Sequence, residues 1–327
     1  MDFGECFFPH LHLPGSRFLF TGGGTPPLNE LCEADVICCQ RMMSKINQDF
    51  LQVMRAYGMK IIYDLDDNVW TIPPDNPAAT IFKLKEIQEG MAHCAEWADV
   101  LTVSTPTLKK VMERNWGHLR NAATGKEIPV LVCQNRIDPL FYNPSGKDNG
   151  DKIIIGWGGS NTHAGDLADI WGTLHKILDK YENVYVELVG QEAPFKHPKL
   201  SYREWVHIAD FPFYLKEWNW DIFLAPLEEH KFNQSKSNIK LQEAGALARP
   251  CLASPEQPYK DFYENSGGLG WQLCSISLQW ERKLMQLIED KDFRLDTGRR
   301  MYEHTMANFN IKSSVTEWET AIATCFA

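Results

Sequence analysis

The sequence predicts an α/β protein built from two parallel, helix-covered sheets, and three observations support this fold class. Its 327 residues exceed what one ordinary hydrophobic core requires and suit two domains. Continuous apolar runs rich in β-branched residues alternate with helical stretches, as in parallel sheets that are covered on both faces. A polar, Gly- and Asn-rich piece at 143–152 interrupts this series and indicates a domain boundary.

The predicted elements follow one another in βα order. The apolar runs predict strands at 34–39, 59–65, 99–104, 128–133, 152–157, 184–190, 221–226 and 250–254. Helical periodicity predicts helices near Met43–Tyr57, Ile81–Trp97 and Lys312–Cys325. We therefore expect a Rossmann-like domain over 1–146, a second over 147–310, and a C-terminal helix within 311–327 that packs back on the first domain.

Composition restricts the functional class. The 44% apolar content is spread over short runs that cannot span a membrane, and the N-terminal residues lack the order of a signal peptide, so we expect a cytoplasmic protein, or a host-cytoplasmic one if viral. The nine cysteines show no CxxC pair and predict reduced, mostly buried thiols. A net charge of −10 argues against general binding to nucleic acid or anionic membranes.

The most informative segment runs from Asp221 to Ser254 and predicts a strand, a polar loop, a helix and a strand. Lys236, Ser237 and Asn238 stand at the predicted helix start, where backbone N–H groups and a cation suit a phosphate. Glu243 lies further along this helix, at the distance from a phosphate where carboxylates hold ribose hydroxyls. Alternatively, Lys236, Lys240 and Glu243 form the solvated face of an ordinary crossover helix.

A second candidate loop follows the predicted strand 152–157. Two glycines allow close approach of a ligand to the backbone, and hydroxyl side chains can donate to phosphate oxygens. Gly190 ends another strand and predicts a third loop at the same sheet edge. A tight turn alone would also explain these glycines. The candidate donor-binding residues of these loops are Gly158, Gly159, Ser160, Thr162, His163 and Gly190, and those of the helix and its start are Lys236, Ser237, Asn238, Lys240 and Glu243.

A competing motif lies in the first half, where an apolar strand ends in Asp64-x-Asp66. This pattern is typical of haloacid-dehalogenase-type phosphatases, and Ser104 resembles their second motif. Asn68 does not fit that pattern, and no later strand ends in the carboxylates that magnesium would need. A DxD motif also holds a metal–nucleotide in single-domain sugar transferases. Alternatively, Asp64, Asp66 and Asp67 cap the following loop and line a cleft.

Together these segments resemble the retaining GT-B glycosyltransferases of the large family 4 over most of the chain. The similarity rests on YDLDD, ADVLTVST, CQNRIDPLFYNP and SNIKLQEAGALARPCLAS, in family order. YDLDD and the KSNIK start of the last segment are typical of a viral and bacterial subset. The resemblance implies two facing Rossmann-like domains with a cleft between them, retention of anomeric configuration, and binding of the donor ribose by Glu243.

This sequence departs from the family pattern at several site positions, and these departures change the expected role of the residues there. Lys236 stands where the family usually has a second Glu, which favours a phosphate contact there. WGGSNTHAGD replaces the segment in which the family has an Arg and a Lys, and Asp66 replaces a family His. Gly22 and Gly23 would serve as the glycine-rich loop of the first domain.

We therefore expect a glycosyltransferase that moves a sugar from a nucleotide-diphosphate sugar, with no cofactor and no metal. Lys236 and Asp66 are the predicted catalytic residues, and Gly22, Gly23, Asp64, Asp67 and Ser104 are predicted on the acceptor side. The acceptor is a glycan, a small molecule, or a hydroxymethylated base of viral DNA bound through the basic segment 109–126. A magnesium-dependent phosphatase using Asp64 and Asp66 and a non-catalytic nucleotide-sugar-binding protein remain alternatives.

Overall fold

A computed structural model describes residues 34–159, 163, 165–207 and 209–327. The chain divides into two compact units. The first holds residues up to Asn135 with Ser235–Ser237 and Lys312–Ala327, and the second holds Arg136–Gln234 and Asn238–Ile311. Four predicted site residues lie outside the described part of the chain, namely Gly22, Gly23, Ser160 and Thr162.

The first unit contains a parallel four-stranded sheet of order β1-β2-β3-β4. Its strands are β1 (Val36–Gln40), β2 (Lys60–Leu65), β3 (Val100–Val103) and β4 (Val130–Val132). Its helices are α1 (Lys45–Ala56), α2 (Ala79–Phe82), α3 (Lys85–Ala95), α4 (Pro106–Trp116) and, from the C-terminal end, α11 (Val315–Cys325). Ser44 and Asn47 form a capping box that starts α1.

The second unit contains a parallel five-stranded sheet of order β7-β6-β5-β8-β9. Its strands are β5 (Ile153–Gly158), β6 (Val184–Val189), β7 (Leu200–Arg203), β8 (Ile222–Ala225) and β9 (Cys251–Ala253). Its α-helices are α5 (Trp171–Lys180), α6 (Phe211–Trp218), α7 (Ile239–Ala246), α8 (Gln257–Tyr263), α9 (Ser277–Glu289) and α10 (Lys291–Asn308), and a 3₁₀ helix spans Gly165–Ile170.

Two apolar clusters cover the two faces of the second sheet. Ile155 and Leu224 belong to one cluster, whereas Phe223 and Ala225 belong to the other. This alternation along β8 places successive side chains on opposite faces, both of them buried. The predicted α/β fold class, with two parallel-sheet Rossmann-like units, is confirmed.

The helix α11 completes the core of the first unit. Ala321 and Cys325 pack with Ile62, Val100 and Cys133 of the first sheet in one buried cluster. Glu317 also accepts a hydrogen bond from the backbone N–H of Gln134 at 2.7 Å. The first unit therefore takes its core from strands that precede the second unit in sequence and from a helix that follows it.

The chain divides after Asn135, before our predicted boundary at residue 146. The intervening segment belongs to the second unit because it bonds there. Asn149 Nδ2 donates to the Asn219 carbonyl and to Asp221 Oδ2, each at 2.8 Å. Tyr142 packs against the apolar cluster that contains Phe223.

Two of the observed elements differ from the prediction. The single helix predicted over Ile81–Trp97 is divided at Leu84, whose backbone is extended, and Gln88 Nε2 donates to the free Phe82 carbonyl at 2.7 Å. The strand β7 escaped prediction because its residues are mostly exposed and show no apolar run.

No helix in the described part of the chain is long and apolar enough to cross a membrane.

Candidate functional site

The strand order of the second unit identifies one sheet edge as the place for a ligand. The chain proceeds from β5 outward to β6 and β7, and then returns to the other side of β5 with β8. Open α/β sheets bind ligands at such a switch point, at the carboxyl ends of the strands. The loops after β5 and β8 therefore form the candidate ligand site.

Gly159 and Gly190 bring two of these loops into contact. The Gly159 N–H donates to the Val189 carbonyl at 3.0 Å, so the ends of β5 and β6 lie side by side. Gly190 has φ of 82°, and a Cβ there would lie 2.3 Å from the Gly159 carbonyl oxygen. Both the backbone angle and the close approach require glycine at 190. Two of the predicted donor-loop glycines thus form one continuous backbone surface.

Lys240 projects from the first turn of α7 onto the end of β5. Its Nζ hydrogen-bonds the Gly158 carbonyl oxygen and lies 5.1 Å from the centroid of the Trp157 ring. The cation–π contact and the carbonyl hold the ammonium beside Gly159, where a Cβ would come within 3.3 Å of it. A positive charge therefore lies at the glycine-rich edge of the sheet.

Glu243 lies one turn after Lys240 on the same helix. Burial raises the pKa of the Glu243 carboxyl to about 7, although the charge of Lys240 and a hydrogen bond from Tyr142 lower it. A half-buried carboxylate that already has one phenol donor suits a second hydroxyl donor such as a ribose. Tyr142 was missed by sequence reasoning, although it lies within CQNRIDPLFYNP, a segment used for the resemblance.

His163 follows the glycines of the β5 loop. Its Nδ1 lies 2.7 Å from Asp166 Oδ2, and its ring meets the Trp157 ring edge-on, with centroids 6.4 Å apart. Lys240 and His163 therefore both contact Trp157, a residue that sequence reasoning did not single out. Sequence reasoning also gave Asp166 no role in the site.

The predicted helix start at Lys236–Asn238 ends at the observed N-cap, Asn238. The helix α7 begins at Ile239, with Asn238 as its N-cap and without a side-chain cap. The Asn238 amide group is otherwise engaged, since its Oδ1 accepts from Gln242 Nε2 at 2.5 Å. Lys236 and Ser237 precede the helix and group with the first unit, where Asn135 Nδ2 donates to Ser237 Oγ at 3.3 Å.

The predicted acceptor-side aspartates gather at the carboxyl end of β2. Asp64 is 7% exposed and accepts hydrogen bonds from Thr102 Oγ1 at 2.6 Å and Gln40 Nε2 at 3.1 Å. Burial raises the pKa of the Asp64 carboxyl to about 7, against the effect of these two donors. Ser104 Oγ donates to the Asp66 carbonyl at 3.1 Å and fixes the loop.

Arg41 binds the other two aspartates, and sequence reasoning missed it. Arg41 Nε donates to Asp66 Oδ1 at 2.8 Å, and Nη2 donates to Asp67 Oδ2 at 2.9 Å. This guanidinium supplies the positive charge that a metal ion would otherwise bring to two neighbouring carboxylates. Within the described residues, no group of three or more His, Cys, Asp or Glu side chains is placed to hold a metal ion.

The phosphatase interpretation loses its support from this geometry. Its nucleophile must be an open carboxylate beside magnesium, whereas Asp64 is buried and bonded to Thr102 and Gln40. Asp66 and Asp67 are paired with Arg41. The structure instead supports the reading in which these aspartates order the loop after β2.

The basic segment 109–126 carries paired charges. Lys109 Nζ lies 3.7 Å from Glu113, and Arg120 Nη2 lies 3.0 Å from Glu127. Trp116, which could have stacked on a base, is only 5% exposed and packs in the core against the ring of Trp70. The Lys109–Glu113 pair is typical of a solvated helix face, whereas Arg120 and Glu127 follow the helix and form an isolated bridge.

Comparison with known proteins shows similarity to solved glycosyltransferase structures. A UDP-forming α,α-trehalose-phosphate synthase from Burkholderia xenovorans is 12% identical, with a TM-score of 0.62 over 92% of this chain and 76% of that one. Anabaena HepE in complex with UDP-glucose is 12% identical, with a TM-score of 0.60 over 91% and 80%. Sucrose-phosphate synthase from Thermosynechococcus elongatus is 11% identical, with a TM-score of 0.57 over 89% and 74%.

The chain has the fold of the GT-B glycosyltransferases. No family model matches its sequence, and no curated protein does. Structural similarity at 11–12% sequence identity shows the fold alone, and the chemistry depends on the residues of this chain.

Proposed function

We propose that this protein is a glycosyltransferase that moves a sugar from a nucleotide-diphosphate sugar to an acceptor hydroxyl, with retention of configuration. The observation that carries the proposal is the grouping of Lys240, Glu243 and the Gly159–Gly190 backbone surface at the switch point of a GT-B sheet. A cation, glycine-rich strand ends and a carboxylate suit a diphosphate and a ribose.

The diphosphate is assigned to the glycine-rich loops and the cations. Gly158, Gly159 and Gly190 let the phosphates approach the backbone, and Lys240 offers charge beside them. Lys236, Ser237 and Asn238 remain proposed donor contacts immediately before and at the N-cap of α7, as do Ser160 and Thr162 of the β5 loop. Glu243 holds the ribose.

Catalysis in this proposal is electrostatic. When the glycosidic bond of the donor breaks, negative charge grows on the leaving phosphate, and cations placed there stabilise the transition state more than the bound donor. We assign this role to Lys236 and Lys240. No metal is required, because the charge that it would supply comes from side chains.

The acceptor is proposed to be a glycan or a small molecule bound on the side of Asp64, Asp66, Asp67 and Ser104. Asp66 and Asp67 suit its hydroxyl groups, because their side chains are each 31% exposed and carboxylate oxygens accept hydrogen bonds. Asp64 and Ser104 are buried and order the loop that carries these two carboxylates. The hydroxymethylated-base alternative requires a basic DNA-binding surface, and the paired charges of 109–126 weaken it.

A thermal-shift screen tests the proposed function. UDP-, GDP-, ADP- and dTDP-sugars are each added to the purified protein, since a ligand at 100 times its dissociation constant adds about 2.7 kcal/mol to stability. The sugars that stabilise the protein are then incubated with glycan and small-molecule acceptors and with hydroxymethylated DNA, and the product anomer is read by NMR. Stabilisation without turnover would support the non-catalytic alternative, and no stabilisation by any of them would overturn the proposal.

A further inference from the structure

His163 and Asp166 form a built pair in the second unit, on the segment that follows β5. Asp166 is 8% exposed, and its Oδ2 lies 2.7 Å from His163 Nδ1. Its other oxygen accepts the Glu228 N–H at 2.9 Å and Asn233 Nδ2 at 3.0 Å. The β8–α7 connection therefore fixes the carboxylate, and the carboxylate fixes the imidazole ring.

The ring of His163 and the ammonium of Lys240 contact the same tryptophan, Trp157. It meets Trp157 edge-on, with centroids 6.4 Å apart, and Lys240 Nζ lies 5.1 Å from the centroid of the same tryptophan. Trp157 and Gly158 are the last residues of β5, so the imidazole, the ammonium and the first glycine of the loop share one end of one strand.

The charges around the pair favour a protonated imidazole. Asp166 binds Nδ1 directly, and a carboxylate in that position stabilises the charged form of histidine. Glu256, 7% exposed, and Tyr259 interact electrostatically with Asp166 from the segment around the start of α8, and Glu229 acts on Glu256. Lys240, beyond the Trp157 ring, is the opposing positive charge.

We propose that His163, held by the positioning residue Asp166, contacts the diphosphate of the bound nucleotide sugar as an imidazolium and stabilises the leaving phosphate. This inference rests on the proposed function and adds a pH-dependent cation to it. A charge-assisted hydrogen bond from an imidazolium to phosphate is stronger than a neutral one, and it grows as charge accumulates on the leaving oxygen.

The step balances without a further reactant. The bond between the anomeric carbon and the diphosphate oxygen breaks, and its electron pair stays on that oxygen. The acceptor oxygen forms the new bond to the anomeric carbon, and its proton is released to water. His163 keeps its own proton throughout and acts by charge.

The test measures donor binding against pH, because binding needs no acceptor. UDP-glucose, GDP-mannose and ADP-glucose are titrated by calorimetry from about pH 5.5 to about pH 9, a range that spans histidine titration. Their diphosphate diesters keep a constant charge over this range, so a change in affinity reports on the protein. The advantage of wild type over His163→Gln is expected to fall from about 10-fold to about one as the imidazole loses its proton, whereas the ionisation of Glu243 affects both proteins alike.

Two variants and a matched control separate the pair from its surroundings. His163→Gln should bind about 10-fold more weakly than wild type at low pH and about equally at high pH, and it keeps the pH dependence that Glu243 causes. Asp166→Asn should shift the midpoint of the affinity change to lower pH, since the anion that retains the proton is gone. Asp179→Asn is the control, because His175 and Asp179 form an exposed pair of the same chemistry on α5, 3.0 Å apart.

The outcomes distinguish the two proposals. Wild-type affinity and pH dependence in His163→Gln would overturn this inference and leave the proposed function standing. No binding of any nucleotide sugar by the wild-type protein would overturn both. The melting temperature of each variant is measured alongside, and His163→Gln decides the matter if Asp166→Asn does not fold, because the imidazole is the less buried partner.

Discussion

The Tyr142 hydroxyl hydrogen-bonds the Glu243 carboxyl and so ties the segment that leads into the second unit to the helix α7. The phenol is a donor that favours the charged carboxylate, whereas burial favours the neutral acid, and burial prevails with a pKa of about 7. Glu243 thus changes charge near neutral pH, and Tyr142 controls where that change occurs.

The first prediction concerns this pair. Glu243→Ala should weaken nucleotide-sugar binding by roughly 1.5 to 3 kcal/mol, the range for hydrogen bonds to a charged group. Tyr142→Phe should raise the pKa of Glu243 further, so that binding weakens near pH 7 and recovers in alkaline buffer. Calorimetric titration at two pH values measures the donor affinity of both variants. Tyr57→Phe is the control, because Tyr57 is 64% exposed. Unchanged donor affinity in Glu243→Ala would remove Glu243 from the site.

Lys236 is expected to act on the transition state more than on the bound donor. Lys236→Ala should therefore lower kcat more than it weakens donor binding. Lys236→Glu should not restore the rate, because an added carboxylate would repel the diphosphate. Lys231→Ala, an exposed lysine of the same loop, should behave as wild type in steady-state kinetics. Wild-type rates in Lys236→Glu would show that other groups hold the diphosphate.

Alanine variants of Gly190 and Gly150 distinguish the cost of a left-handed backbone from the cost of a steric clash. Both have positive φ, of 82° and 63°, but a Cβ at Gly150 meets nothing within 4 Å. Gly150→Ala should cost about 1 kcal/mol of stability, from the left-handed backbone alone. Gly190→Ala should cost roughly 2 to 4 kcal/mol and displace Gly159, so that nucleotide-sugar binding is lost. Urea denaturation and calorimetry check this, and equal costs in the two variants would contradict it.

Asp64 should make the protein less stable as pH rises. Its carboxyl has an ordinary value of 3.8 and a native pKa of about 7, so the folded state holds a proton that the unfolded state has lost between these values. This contribution to stability is complete below about pH 4 and disappears as pH passes 7. Asp64→Asn should then be the more stable protein at pH 8, by at most on the order of 4 kcal/mol, with the gain shrinking towards pH 4. Thermal unfolding of both proteins across this range measures the difference, and parallel pH profiles would refute the shifted carboxyl.

Nucleotide-sugar binding and turnover should persist in excess EDTA. The carboxylates that would bind a metal are engaged, Asp66 and Asp67 by Arg41 and Asp64 by Thr102 and Gln40. The control is the same assay with added magnesium or manganese, which should change neither rate nor affinity. Loss of activity in EDTA that magnesium restores would mean that the Asp64–Asp67 segment binds a metal.

The fold was predictable because parallel strands that are buried on both faces appear in the sequence as continuous apolar runs. The exposed strand β7 has no such run and was missed. The break at Leu84 also escaped prediction, because it depends on Gln88 reaching back to the Phe82 carbonyl, a contact that no periodicity records.

Only part of the candidate site could be predicted from the sequence. Glycines and charged residues next to strand ends were visible in sequence, so Gly159, Gly190, Lys240 and Glu243 could be proposed from it. Their partners come from elsewhere in the chain, as Tyr142 does for Glu243. The N-cap of α7, Asn238, is the last residue of the predicted start, whereas Ser237, also an N-cap residue by type, instead accepts a hydrogen bond from Asn135.

The contribution of α11 to the first core has a consequence for synthesis of the protein. The strands that α11 covers are synthesised before the second unit, whereas α11 is synthesised after it. At about 5 to 20 residues per second, the face formed by Ile62, Val100 and Cys133 waits for ten seconds or more, in order of magnitude, before its cover exists. During translation the nascent chain therefore presents an uncovered sheet face, the kind of surface that chaperones bind and that aggregates when they do not.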